Sequence, residues 1–271
     1  MPQDPLLLAT AVDVVLRAGD LQLAAFGGAV HVDKKGTIDL VTEVDIAVEC
    51  MCRSLIAQRF PGHDVLGEEM AGAAATGSRH CWVFDPLDGT TNFIHGLPIF
   101  CASLALEVDG TIEVAAVYDP CRRELFTAER GGGAFLNGAP LRVSAVPTLL
   151  DALLVTGFPY DVHTSGGEIV GLFGAFIRRA QAVRRLGSAA LDLCYVAAGR
   201  MDGFWEQRLK PWDVAAGALI VEEAGGCVTG VDGGPFNCRA GHVVASNGAI
   251  HAEMVATIAA FAAGRSPNVT R

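Results

Sequence analysis

The stretch Cys81–Asn92, CWVFDPLDGTTN, constrains this chain more than any other. Cys81–Phe84 reads as a short buried strand, yet it runs straight into Asp85, and a second acid follows at Asp88. Burying carboxylates without a partner is costly, so something at the strand's end must take up their charge. The continuation, Gly89-Thr90-Thr91-Asn92, is rich in backbone and hydroxyl donors at a point where a helix can begin. The free N–H groups of a helix start suit a phosphate. Acids with no histidine or cysteine beside them suit Mg²⁺, which prefers carboxylate, carbonyl and water oxygens. The strand then delivers metal ligands and the turn receives a phosphate. Taken alone, Asp-Pro-Leu-Asp-Gly is also ordinary turn chemistry and could be a connector.

Further acids stand in similar settings. Leu66-Gly67-Glu68-Glu69 places two after a short apolar run. Asp213 opens Val214–Val221, a helix apolar on every side and therefore buried. An acid at the mouth of such a helix reads equally as a cap or as a ligand.

Composition narrows the partners. The 271 residues are 51% hydrophobic and only 18% charged, enough to bury a large core. A formal net charge of −10 argues against direct binding of nucleic acid, whose phosphates need clustered Lys and Arg. It would also repel an anionic substrate unless cations intervene. The eight cysteines form no C-x-x-C pair and read as reduced thiols of a cytoplasmic protein. The start lacks the basic region of a signal peptide, and no apolar run is long enough to span a membrane.

The spacing predicts helices over residues 4–27, with Asp4 as N-cap and Pro5 first, and from Thr42, with Asp45 at N3, to about Phe60. Ile99–Val108, Asp109-Gly110 and Thr111–Tyr118 form a hairpin signature, and Asn137-Gly138 marks another tight turn. From about Asp151 short apolar runs alternate with helical stretches near 166–180, 189–198, 212–224 and 249–263, the texture of an α/β half after an α+β half. The expected division is 1–148, carrying most of the metal ligands, and 149–271, completing the site.

His95 has no metal-binding partner and reads as structural, Arg184-Arg185 as a solvated pair, Gly131–Gly133 as a turn, and Cys50 and Cys52 as core fillers. Glu206 follows the apolar run Met201–Trp205, which could end as a strand at the site; otherwise it would be a surface residue paired with Arg208 or Lys210.

Gly67-Glu68-Glu69, Asp85-Pro-Leu-Asp-Gly-Thr-Thr-Asn92 and Trp212-Asp213-x-Ala-Ala-Gly217, in this order, resemble the inositol monophosphatase family of metal-dependent, lithium-sensitive sugar phosphatases. Asp39–Asp45, Gly157-Phe-Pro159, Gly187–Asp192 and Glu223–Gly226 extend the resemblance over nearly the whole chain. Bacterial-type members are the most similar. Lys34–Asp39 departs from the Lys-Ser-Ser-Pro that some members carry, which touches the first loop and the weakest metal site.

The resemblance implies a layered αβαβα sandwich of the sugar phosphatase type, a homodimer, and a small-molecule phosphate substrate. It implies two to three Mg²⁺: one on Glu68, Asp85 and the Leu87 carbonyl, one on Asp85, Asp88 and Asp213, and a loose third on Glu68. Asp45 and Thr90 would orient and deprotonate the attacking water, with Glu68 beside them. Gly89 and Thr90 would offer N–H groups to the phosphate, while Asp88, the Ala189 backbone and Glu206 would bind substrate hydroxyls. The implied reaction is hydrolysis of a polyol phosphate, myo-inositol 1-phosphate first. Alternatives are fructose 1,6-bisphosphate, histidinol phosphate, NADP or 3′-phosphoadenosine nucleotides, and, in another class, a binding partner of the transcription machinery with dispensable catalysis.

Overall fold

The computed structural model describes residues 4–36, 38–70 and 76–264. Thr37, within the divergent first loop, lies outside the described residues. In chain order the elements are α1 (Pro5–Ala25), β1 (Val32–Lys34), β2 (Leu40–Thr42), α2 (Glu43–Arg59), β3 (Asp64–Gly67), β4 (His80–Asp88) and α3 (Thr90–Ile94). There follow β5 (Cys101–Val108), β6 (Thr111–Asp119), β7 (Glu124–Glu129), β8 (Gly133–Leu136), β9 (Ala139–Pro140), β10 (Leu153–Thr156), α4 (Val162–Ser165) and α5 (Gly167–Ile177). The last are β11 (Ala182–Arg184), α6 (Ala189–Ala197), β12 (Gly203–Gln207), α7 (Pro211–Glu223), β13 (Cys227–Thr229), β14 (His242–Ser246) and α8 (His251–Ala262).

Local chemistry accounts for the starts and turns. Asp4 accepts from the Leu6 N–H at 2.9 Å, capping α1 ahead of Pro5. Thr42 and Asp45 form a reciprocal capping box at α2. The β5–β6 turn has Asp109 at φ 49° and Gly110 at φ 84°, the two positive angles a tight hairpin requires.

Two sheets organise the chain. The larger runs β3-β4-β5-β6-β7-β8-β9, antiparallel throughout except for the parallel β3–β4 pair. The smaller runs β11-β10-β12-β14-β13, with β11, β10 and β12 parallel and β14 antiparallel to both of its neighbours. Three buried clusters stack the layers. One packs α1 and α2 on the outer face of the large sheet through Val14, Val15, Val48 and Ile56 against Trp82, Phe84 and Leu104. A second holds α6 and α7 between the sheets, with Leu191, Leu193, Leu219 and Ile220 meeting Val83, Val117 and Phe126 on one side and Val155, Phe204 and Val243 on the other. A third packs α5 and α8 on the far face of the small sheet through Leu172, Phe176, Met254 and Ile258. The order is helices, sheet, helices, sheet, helices, the αβαβα sandwich that the family resemblance implied. The all-round apolar α7 is explained by its place: it is covered from both sides.

Two readings change. The strand does not stop at Phe84 but continues through Pro86 to Asp88. Cys52 is a core residue, whereas Cys50 is exposed with its thiol 3.8 Å from the Met70 sulfur, because the two lie on different sides of α2.

Candidate active site

In an unbroken strand, residues three apart point to opposite faces. In β4, Val83 points to the α7 side, Phe84 and Leu87 point to the α1 side, and Asp88 reaches α6. A bulge makes this possible. Asp85 pairs with Ser103 and Asp88 with Cys101, so Pro86 and Leu87 together stand opposite Ala102. The extra residue reverses the alternation, and Asp85 and Asp88 come to line the same cavity.

That cavity holds about 310 Å³ and lies where the ends of β3, β4 and β12 meet the first turns of α3, α6 and α7. Glu68 arrives just past β3. A Cβ on Gly67 would stand 2.3 Å from the Glu49 carboxylate, and that carboxylate accepts from the Glu69 N–H at 2.7 Å and the Met70 N–H at 3.1 Å. The glycine therefore lets Glu49 hold the turn that presents Glu68. Asp213, at N3 of α7, accepts from the Lys210 N–H at 2.6 Å and also faces the cavity, so the cap and ligand readings are compatible. Asp88 Oδ2 accepts from the Ser188 hydroxyl and the Ala190 N–H, both at 2.7 Å. Thr90 Oγ1 lies 2.9 Å from the Leu87 carbonyl and 3.3 Å from Asp45 Oδ1. Gly89, Thr90 and Ala189 line the same cavity, and Asp45 stands behind Thr90.

Glu206 sits at the end of β12 and is only 8% exposed, so the surface-pair reading is wrong: Arg208 pairs with Asp161 instead. A Cβ on Gly157 would lie 2.2 Å from its carboxylate, which explains a glycine at that approach. Arg185, read as a solvated residue, is exposed yet lines the cavity, and its charge opposes the burial that raises the pKa of Glu206, so it is not merely a solvated face. It follows β11 directly, and a basic pair in sequence gives no sign of which member reaches the cavity. His95 is exposed and away from the cavity. Among the lining residues with no assigned role in the sequence reading are two charged ones: Asp192, known only as part of a motif, and Lys35, whose ammonium contacts Glu68 at 2.8 Å and Glu69 at 2.6 Å.

The electrostatics follow from crowding acids in a buried place. Burial, then the charges of Glu68, Asp88 and Asp213, push the Asp85 carboxyl well above its usual range. Burial likewise raises Asp213, Asp88 and Glu68, against hydrogen bonds to the first two and the Lys35 ammonium beside the third. Burial also raises Asp45 and lifts Glu206 to about 8.

As the side chains stand, no group of three or more His, Cys, Asp or Glu among the described residues closes round a point that would hold a metal ion. The Lys35 ammonium already occupies Glu68 and Glu69. The donor chemistry nevertheless fits a hard divalent cation. Protein donors occupy one oxygen of each acid, Oε1 of Glu68, Oδ1 of Asp85 and Oδ2 of Asp88 and of Asp213, leaving the other oxygen to a cation. Four acids that oppose one another's ionisation, with no His or Cys among them, match an oxygen-preferring ion.

Comparison with known proteins then decides the family. The model of the inositol monophosphatase family matches residues 5–262. The chain belongs to the inositol monophosphatase family. It is a phosphatase, and its family is metal-dependent. A Synechocystis protein named inositol-1-monophosphatase is 42% identical over 254 residues, 93% of this chain and 88% of its own length. An Escherichia coli protein named Nus factor SuhB is 44% identical over 93% of this chain and 95% of its own. The crystal structure of the extragenic suppressor protein suhB from Bartonella henselae superposes with a TM-score of 0.89 at 40% identity, covering 93% of this chain and 98% of that one. No helix among the described residues is long and apolar enough to cross a membrane.

Proposed function

We propose that this phosphatase hydrolyses a small polyol phosphate, myo-inositol 1-phosphate above the alternatives, with Mg²⁺ as its metal. The observation that carries the reading is the convergence of Glu68, Asp85, Asp88 and Asp213 on one cavity that also receives Thr90 and Glu206. Glu68, Asp85 and the Leu87 carbonyl would hold one ion, Asp85, Asp88 and Asp213 a second, and Glu68 a loose third. Divalent ions bound there polarise the phosphoryl oxygens and ease ionisation of a water.

The chain's own groups supply the rest. The Gly89 and Thr90 N–H groups sit at the start of α3, where no intrahelical acceptor competes for them, and donate to the phosphate. Thr90 orients the attacking water by its hydroxyl, and Asp45 takes the proton. Burial keeps the Asp45 carboxyl more basic than an exposed one, which favours that role. Glu206 and the Ala189 backbone engage hydroxyls of the polyol. Burial holds the free Glu206 carboxyl up to about 8, while Arg185 and the substrate's hydroxyls favour the ionised form, which accepts from those hydroxyls. By the same resemblance, lithium inhibits at the position formed by Asp85, Asp88 and Asp213.

A second reading, a binding role in the transcription machinery, draws on relatives named Nus factor SuhB at 44% identity. It can coexist with catalysis. Phosphate release across inositol 1-phosphate, fructose 1,6-bisphosphate, histidinol phosphate, NADP and a 3′-phosphoadenosine nucleotide tests the substrate. The expected result is a kcat/KM highest for inositol 1-phosphate, and a preference for any other member of the panel overturns that choice.

A further inference from the structure

The bulge that turns Asp85 and Asp88 to one side leaves a backbone group to be satisfied on the other. Pro86 contributes no N–H, and it shares with Leu87 a place opposite a single residue of β5. Its carbonyl accepts a hydrogen bond of 2.7 Å from the Nε2 amide of Gln22, reaching in from α1 across 64 residues of sequence. Gln22 is fully buried among apolar residues of α1, on the same helical face as Val14, Val15 and Ala18. Its own Oε1 has no hydrogen-bond partner among the described residues. A buried acceptor left unpaired is a standing cost to the fold, and a leucine or methionine there would avoid it. The amide is placed where its single bond meets the one residue between Asp85 and Leu87.

On the cavity side the same segment is held separately. The Leu87 N–H donates to Asp85 Oδ1 at 3.0 Å, the Thr90 hydroxyl meets the Leu87 carbonyl, and Ser188 with Ala190 holds Asp88. Gln22 holds the Pro86 carbonyl from behind, and the Leu87 N–H of the same peptide plane donates to Asp85 Oδ1, so a turn of that plane would disturb Asp85 and the Leu87 residue that follows it. We propose that Gln22 is a positioning residue for the acid-bearing bulge, fixing the aim of Asp85 and the Leu87 carbonyl into the cavity. The proposal rests on the reading of those two groups as metal ligands.

The test is Gln22→Met in the full chain, which keeps length and removes the donor, read by titration with Mn²⁺ alone and by thermal unfolding in chelator. Outer partners of metal ligands typically contribute about 10–100-fold in affinity. Gln22→Met is expected to bind Mn²⁺ about tenfold more weakly, with the Mg²⁺ needed for half-maximal activity rising by the same factor. Its unfolding temperature without metal should stay close to the wild type's, since the unpaired Oε1 is gone while the Pro86 carbonyl loses its donor. Val15→Ala, which loosens the same layer, should lower the unfolding temperature and leave Mn²⁺ affinity intact. Unchanged Mn²⁺ affinity in Gln22→Met, or an equal loss in Val15→Ala, overturns the proposal. Asp85→Asn separates the two ideas. If it abolishes Mn²⁺ binding while Gln22→Met binds as tightly as the wild type, only the Gln22 proposal fails; if Asp85→Asn itself binds as well as the wild type, the ligand reading fails with it.

Discussion

The Thr90 hydroxyl lies 3.3 Å from Asp45 Oδ1, although the two residues belong to different helices and are 45 positions apart. Both are held for other reasons as well. Asp45 Oδ2 caps α2 by accepting from the Thr42 N–H at 2.9 Å, and Thr90 Oγ1 lies 2.9 Å from the Leu87 carbonyl. One hydroxyl proton cannot serve both acceptors at once. Donation to Leu87 would leave the Thr90 lone pairs for a water, with Asp45 behind them to take its proton. Thr90→Val keeps the shape and removes the hydroxyl. Its expected kcat is about 10²–10⁴ lower, the usual weight of a general acid–base relay, with a smaller change in KM. A kcat within a few-fold of the wild type's would remove Thr90 from the relay.

Glu206 is buried at the end of β12 and lines the cavity. Substrate hydroxyls would donate hydrogen bonds to its carboxylate. Glu206→Gln is expected to weaken use of inositol 1-phosphate by about 1–3 kcal/mol, the worth of a charge-assisted hydrogen bond. p-Nitrophenyl phosphate, which has no polyol, should be affected much less. Steady-state kinetics on both substrates decide the point: equal losses, or none on either, show that Glu206 does not read the polyol.

The raised acids make stability depend on pH in a definite direction. Burial lifts the folded-state pKa of Glu206 to about 8 and raises those of Asp85, Asp88 and Asp213. In that window the metal-free folded state binds more protons than the unfolded chain, so stability is greatest below the unfolded carboxylate range and falls as pH rises through the folded values. In chelator the unfolding temperature should fall between about pH 6 and 9, and Glu206→Gln should flatten the fall. Because a cation binds the deprotonated acids, added Mg²⁺ should raise the unfolding temperature more at pH 9 than at pH 6. A metal-free protein that is equally stable at both ends would contradict the electrostatic picture.

Much of this was legible before the structure. The caps at Asp4 and Thr42, the Asp109-Gly110 hairpin and the helices α5 to α8 follow from turn chemistry and hydrophobic spacing. The acids could be named because they stand at the ends of apolar runs. What could not be read was how they meet. That Asp85 and Asp88 share a face depends on the register of β4 against β5, where one extra residue reverses the pleat, and no local pattern states a register. Taken alone, Asp-Pro-Leu-Asp-Gly could pass for a connecting turn for the same reason. Gln22 did leave a signal, a lone amide on the buried face of α1, but its partner lies on a distant strand. Arg185 and Lys35 face the cavity through loop geometry, which a basic residue in sequence does not reveal.

The central claim is that Asp85 holds catalytic metal in a phosphomonoesterase, and one assay tests it most directly. Phosphate release from inositol 1-phosphate is followed for the wild type with Mg²⁺, for the wild type in excess chelator, and for Asp85→Asn with Mg²⁺, folding being checked by circular dichroism. The account predicts turnover only in the first, with Asp85→Asn folded and inactive, since an amide cannot supply the charge that Asp85 would share between two cations. Full turnover in chelator, or in Asp85→Asn, would contradict it.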